Sequence, residues 1–378
     1  MDNNLTGQWK GTSDGNSYVI LNITQNQGGI TGRVSLFETV QAGEEKQSYW
    51  TWSILEGSFV GAKSIEGEAY KPIIYNINGN PLTEDELATL QQKSGGKFPN
   101  KTTFKGEQID NDELVINWRS TYSSGEIRND KVTIIREPPR GNSKVKHEEM
   151  SWGLYKEYAL NQNDGVIYRG QAKKWRLQTS FHRTGHADII EYLDEKILQV
   201  ERHINAYSEH VYNIKDDHSL GALLNLIQHH GYPTPLLDWT KSPYVASFFA
   251  FQDKARLKKD GAISIYIFDE REWAKMAGRY APLRTPAMMV KTVELPIIGN
   301  TRVLPQQATT MYSNVDDIEF IIQQNEERIG RQFLKAVSIP VADREIAMRD
   351  LNLMGITWAS LFPGVDGLCK YLSTKHFE

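Results

Sequence analysis

Cysteine is almost absent: Cys369 stands alone among 378 residues. No internal disulfide can form and no cysteine-rich zinc set exists, a usage that fits a reducing cytoplasm. Long apolar runs are missing too, so nothing approaches the roughly 20 residues of a membrane span. The opening Met1-Asp2-Asn3-Asn4-Leu5-Thr6-Gly7 lacks a basic segment followed by an apolar one, and the expectation is a soluble, unexported, cytoplasmic chain without a membrane partner. Neither sign of charge dominates: 43 Lys and Arg against 47 Asp and Glu leave a formal net charge of -4. That gives no global pull toward nucleic acid. Also absent are a phosphate-binding glycine loop of the Walker or dinucleotide type, a Gly-x-Ser-x-Gly elbow, and a histidine placed to serve Cys369, so nucleophilic catalysis has no candidate.

What is present divides in two, as the length leads one to expect. From Leu5 to about Glu137, short alternating segments recur: Ser17 to Thr24, Gly29 to Ser35, Trp50 to Phe59, Glu113 to Trp118 and Lys131 to Ile135, punctuated by glycine, asparagine and aspartate. The pattern predicts an all-β barrel or sandwich over residues 1–137. A short helix from Leu82 to Leu90 interrupts it, with Thr83 and Glu86 in capping-box positions. Pro138-Pro139-Arg140-Gly141-Asn142-Ser143 suits neither sheet nor helix, so residues 138–148 are read as a linker.

The second part, residues 149–378, changes character. Ile189, Ile190, Leu193, Ile197, Val200 and Ile204 recur at steps of three or four, which predicts a long amphipathic helix. Ser219 to His230 predicts another, stopped by Gly231. Strands are expected at Ala262 to Phe268, Val293 to Leu295 and Phe333 to Ile339, then a helix from Asp343 to Leu353. Helices and strands mix without strict alternation, which points to an α+β domain.

Three segments could carry chemistry. In Tyr168-Arg169-Gly170-Gln171, Arg169 at a strand end offers a rigid fork of donors suited to phosphate or carboxylate, and Gly170 lets a ligand or backbone come close; the ordinary alternative is a surface salt bridge. The stretch His229 to Phe251 packs two histidines, Thr234, Asp238, Trp239, Thr240, Ser242 and three prolines between apolar runs. Asp238 could equally close an Asx turn, and Ser242-Pro243 is a good helix start. Adjacent histidines project about 100° apart on a helix and no third ligand completes a set, so no metal is expected; His230, beside the turn, is the better candidate to touch a ligand. In Asn300 to Thr309, the paired Gln306 and Gln307 suit an uncharged polar group such as a ribose, or lie on an exposed loop.

Taken in order, these segments resemble the FRG domain, a bacterial and phage-associated module. The resemblance rests on Tyr168 to Gln171; on His230-Gly231, Thr234 to Thr240 and Ser242-Pro243 before an aromatic helix; and on Asn300, Arg302, Gln306 and Gln307. It runs to Leu361-Phe362-Pro363-Gly364-Val365-Asp366-Gly367-Leu368, with Ala308 where the family usually has glycine. The first domain is similar to lipocalin-like barrels in pattern only.

More distantly, an arginine on an early strand, a hydroxyl motif leading into an Ala-x-x-Phe helix and a polar residue on a late strand resemble an ADP-ribosyltransferase. That resemblance implies NAD as substrate, with Arg169 on the pyrophosphate, Ser242 or Thr240 shaping the wall, and Gln307 at the ribose. Tyr168, Gln171, His230, Thr234, Asp238, Trp239, Arg302 and Gln306 would complete the binding set. Such enzymes usually carry glutamate where Gln307 stands, whose charge stabilises the cation-like transition state; Asp238 or Glu294 would then have to supply it. The expectation is an NAD-consuming enzyme, by ADP-ribosyl transfer to a macromolecule or by hydrolysis. It would act as a toxin or phage-defence effector whose β domain senses or positions a partner. A non-catalytic nucleotide binder and a protein-interaction module are the alternatives.

Overall fold

The computed structural model describes residues 4–42, 45–76, 80–94, 99, 101–122, 124–137, 141–278, 282–285 and 288–377. Eight antiparallel strands close the first domain into a barrel: β1 (Gly7–Ser13), β2 (Tyr18–Asn26), β3 (Gly29–Ala42), β4 (Glu45–Phe59), β5 (Ser64–Asn76), β6 (Lys101–Gln108), β7 (Glu113–Thr121) and β8 (Ile127–Ile135). Closure is made by β1 on β8, from Lys10 opposite Ile135 to Ser13 opposite Val132. Of the two expected architectures the barrel is therefore the one formed. Alternate residues such as Leu114 and Ile116, Val132 and Ile134 point inward onto Trp9, Leu21 and Leu55. Between β5 and β6 sits α1 (Glu84–Ser94), with Glu86 Oε2 accepting from Thr83 N at 2.8 Å and Thr83 Oγ1 from Glu86 N at 3.3 Å.

Pro138-Pro139-Arg140 lie outside the described residues. From Gly141 the chain already packs on the second domain: the buried Glu319 accepts from Ser143 Oγ at 3.0 Å and Lys144 N at 3.1 Å. A three-residue strand, β9 (His147–Glu149), spans the expected boundary and joins the second sheet in parallel with its last strand.

That sheet has seven strands in the order β13-β14-β11-β10-β12-β15-β9. The others are β10 (Val166–Gln171), β11 (Leu236–Thr240), β12 (Ala262–Asp269), β13 (Val290–Val293), β14 (Ala308–Ser313) and β15 (Leu334–Pro340). All their pairings except that of β9 are antiparallel. Strand β13 starts three residues before the stretch expected and leaves Glu294 and Leu295 in the following loop. The helices are α2 (Trp152–Leu160), α3 (Ile189–Glu191), α4 (Leu198–Tyr207), α5 (Asp217–His229), α6 (Pro243–Phe251), α7 (Glu270–Ala277), α8 (Ile318–Ile329), α9 (Arg344–Leu353), α10 (Trp358–Leu361) and α11 (Val365–Phe377). The long helix expected from Ile189 exists, but a π-helical turn at Tyr192–Ile197 joins α3 to α4. It lets Tyr192, Leu193 and Ile197 all face the core. None of the described helices is long and apolar enough to cross a membrane.

The two domains meet through charged and aromatic contacts. Lys10 pairs with Asp317 and sits over the Phe320 ring, Tyr18 stacks on Phe320, and Arg33 pairs with the buried Asp188 that caps α3. Near this junction His182 is buried, its Nδ1 2.7 Å from Thr179 Oγ1, and burial pulls its pKa down to about 4. Below its ordinary value near 6.5 the unfolded chain takes up a proton that the folded chain refuses, so this contribution is complete above about pH 6.5 and is lost toward pH 4. By pH 5 the loss should be about 2 kcal/mol. Urea unfolding of the protein and of His182→Gln at pH 7 and pH 5 checks this: the variant should show the smaller drop.

Candidate active site

The sheet opens where β10 and β11 part. They pair only at Tyr168 opposite Thr240, whereas β12 pairs with β10 along all six residues. Beyond that single pair, the guanidinium of Arg169 takes the place of a ladder bond: Nη1 donates to the carbonyl oxygen of Asp238. A cleft of about 710 Å³ lies at this split, walled by α5, α6, the ends of β13 and β14, and the loop after β13. That volume lies within the range of small-molecule and cofactor sites.

Gly170 exists for α6. A Cβ there would lie 1.8 Å from the carbonyl oxygen of Ala246 and 3.0 Å from the amide nitrogen of Ala250. Because α6 rests directly on the strand, its aromatic face is carried to the cleft, where Ala246, Phe249 and Gln252 form part of the lining. Ser242 starts this helix by accepting from Val245 N at 3.2 Å, with Pro243 in the first turn. It is buried and does not line the cleft. Thr240 does: its hydroxyl accepts from Ser242 N at 3.0 Å and donates to the carbonyl of Gln306 at 2.7 Å, which fastens the loop before β14 to β11.

Asp238 projects into the cleft with its carboxylate held by Gln228 Nε2, while Gln228 Oε1 accepts from the hydroxyl of Thr234. Thr234 is fully buried behind this arrangement, so it orients Gln228 rather than lining the site. Arg169 and Asp238 are not joined through their charges; among the described residues Arg169 has no carboxylate partner. Burial pulls the Arg169 guanidinium down to about 10, against the upward pull of the Asp238 charge. An arginine does not give up its proton in practice; what the shift expresses is a cation short of solvation.

Of the two histidines the structure brings His229, and not the exposed His230, to the cleft. Asn300 fixes it: Nδ2 donates to Asn225 Oδ1 at 3.1 Å and approaches His229 Nδ1 at 3.2 Å, while Oδ1 accepts from Arg302 N at 3.1 Å. With Nδ1 accepting, Nε2 carries the proton. Burial lowers the His229 pKa, against the upward pull of the Asp238 charge. Arg302 lies over the Phe362 ring at 5.1 Å, and Gln306 Nε2 donates to Leu361 O at 2.9 Å.

Tyr168, Arg169, Asp238, Trp239, Thr240, Arg302 and Gln306 thus line one cleft. Gln171, turned away, donates from Nε2 to Trp175 O at 3.1 Å. Gln307 is exposed with a left-handed backbone (φ 45), bonds to Lys241 N through its carbonyl, and does not line the cleft. Gln228, Phe249, Gln252, Glu270 and Phe362, which carry no individual signal in the sequence, do line it. Glu270 opens α7, and its Oε1 accepts from Thr292 Oγ1 at 3.0 Å.

Buried polar atoms in folded proteins nearly always have a partner. Four that find none among the described residues belong to cleft-lining side chains: Arg169 Nε, His229 Nε2, Trp239 Nε1 and Gln252 Oε1. Three of the four are donors.

Residues 164–259 match the family model of the FRG domain, a stretch that holds β10, α5, β11 and α6. This stretch of the second domain is an FRG domain. The elements of the cleft outside that stretch, namely Glu270 of α7, the ends of β13 and β14, the loop between them and the turn at Phe362, are supplied by the rest of the second domain. No curated protein matches the chain. Among solved structures, the chain is similar to a redesigned beta barrel, mFAP1, bound to DFHBI, at 12% identity with a TM-score of 0.20, covering 35% of this chain and 94% of that one. It is similar also to a second redesigned beta barrel at 13% identity and a TM-score of 0.20, covering 35% and 92%.

Proposed function

We propose that the FRG domain cleft binds NAD or a closely related nucleotide and consumes it, by hydrolysis or by ADP-ribosyl transfer. The observation that carries this reading is the set of unpartnered donors Arg169 Nε, His229 Nε2 and Trp239 Nε1, which belong to three side chains that line one cleft. A pyrophosphate flanked by riboses meets that demand, since it presents many acceptors and a negative charge that an under-solvated arginine would hold. The distant resemblance to ADP-ribosyltransferases supports the same substrate.

In this reading the bond from the anomeric carbon to nicotinamide breaks, nicotinamide leaves with the electron pair, and the ribose carries positive charge until water or a target nucleophile adds and gives up its proton. Negative charge near that ribose is worth about a hundredfold to a thousandfold in rate. Gln307 has no charge and lies away from the cleft, so the role falls to the carboxylates that do line it, Asp238, Glu270 and Glu294. Purified protein incubated with NAD should release nicotinamide, and calorimetry should register NAD and ADP-ribose. Absence of release, together with no labelled target in a lysate, would remove the enzymatic reading.

A non-catalytic nucleotide binder is the second reading, favoured by the placement of Gln307. Binding of ADP-ribose and NAD without release of nicotinamide would select it. The β domain, joined through Arg33 and Lys10, would on either reading position or sense a macromolecular partner in a toxin or defence role.

A further inference from the structure

We infer that Arg302, Phe362 and Phe249 form a stacking subsite for a planar base at the cleft; the inference rests on the nucleotide reading above. Phe249 and Phe362 both line the cleft and are half-buried, with ring centroids 6.0 Å apart and planes near perpendicular at 80°. Arg302 sits over the Phe362 ring at 5.1 Å and has no carboxylate partner among the described residues. A guanidinium over an aromatic ring keeps a second planar face, and arginine planes and aromatic rings are the surfaces on which nucleic-acid bases stack.

The arrangement is held from behind. Gln306 Nε2 donates to Leu361 O at 2.9 Å, Trp358 packs against Phe362 at 4.8 Å, and Gly367 lets α11 close on the Phe362 carbonyl, where a Cβ would lie 1.9 Å away. Phe362 therefore reaches the cleft from a segment more than a hundred residues beyond the stretch matched by the family model. The recognised part of the domain supplies the Arg169 end, and the carboxyl-terminal turn supplies the surface for the base.

The test uses the full chain, with Phe362→Leu and Arg169→Ala, titrated with ADP-ribose and with its fluorescent etheno-adenine form. In the wild type the base fluorescence should be quenched on binding. Phe362→Leu, which keeps apolar packing against Trp358 but removes the ring, should bind about tenfold to a hundredfold more weakly and lose the quenching. Equal affinity with unchanged quenching would overturn the subsite while a loss of binding in Arg169→Ala left the nucleotide reading intact. Weaker binding with quenching retained would make Phe362 a packing residue only and would also overturn it. If the wild type binds neither ligand, the nucleotide reading itself falls.

Discussion

Arg169→Ala is expected to lower nicotinamide release from NAD by about a hundredfold or more while leaving the fold in place. Among the described residues, the guanidinium is the one cation at the split between β10 and β11 whose Nε is both buried and without a partner. Its bond to the Asp238 carbonyl occupies only one of five donors. In the folded protein, removing it forfeits one hydrogen bond, worth roughly 1 to 3 kcal/mol for a charged donor, and the midpoint of thermal unfolding should move by a few degrees at most. A ligand phosphate would lose its bidentate partner, so the affinity for ADP-ribose should fall along with the rate. Arg169→Lys should recover only part of the loss, because an ammonium keeps the charge but not the fork. Unchanged release and unchanged affinity in Arg169→Ala would place the ligand elsewhere.

Gly170→Ala should have the largest effect on stability, about 3 kcal/mol or more. The new methyl would have to enter a space already taken by the α6 main chain, with the Ala246 carbonyl oxygen 1.8 Å and its carbon 2.8 Å away. Backbone cannot rotate aside as a side chain can, so the helix must lift from the strand. The packing of Phe248, Phe251 and Ala250 against Ile265 and Val337 is lost with it. Because α6 also carries Phe249 and Gln252 into the cleft, ligand affinity should fall together with the chemical-denaturation midpoint. Gly231→Ala offers the contrast: its φ of +83 disfavours a side chain, yet no atom lies within 4 Å of the added methyl, so the cost should be about 1 kcal/mol. Equal destabilisation by the two would contradict this account.

Much of the first domain was readable where alternation is plain. Strands β7 and β8 carry Leu114, Ile116, Val132 and Ile134 inward, with polar residues between. Strand β5 was less legible because, after the buried Ile65, its inward positions Gly67 and Ala69 are small: a Cβ at Gly67 would lie 2.0 Å from the Glu56 carbonyl oxygen and 2.7 Å from the Phe104 ring. In the second domain helix α5 and its stop at Gly231 followed from local signals, as did the capping role of Ser242. The π-helical turn between α3 and α4 had no local signal, since the residues read as one continuous helical period.

The site divides in the same way. Arg169, Asp238, Thr240, Arg302 and Gln306 could be named in advance because unusual residue types were clustered in short segments, and the family resemblance ordered those segments. Gln228, Phe249, Glu270 and Phe362 could not, because glutamine, glutamate and phenylalanine are common and their importance comes from what they face. Gln307 shows the converse: next to Gln306 in sequence, it is turned outward by a left-handed backbone.

By itself, then, the sequence determined the two-part organisation, the antiparallel character of the first domain, the FRG match within the second and the arginine around which its cleft is built. All of these are written in local composition, periodicity and short motifs. Only the tertiary structure decided that the barrel closes, that β10 and β11 part beside Arg169, that His229 rather than His230 reaches the cleft, and that Phe362 joins it. The physical reason is that strand pairing, burial and unpartnered donors depend on contacts between residues far apart in the chain, which no window of sequence contains.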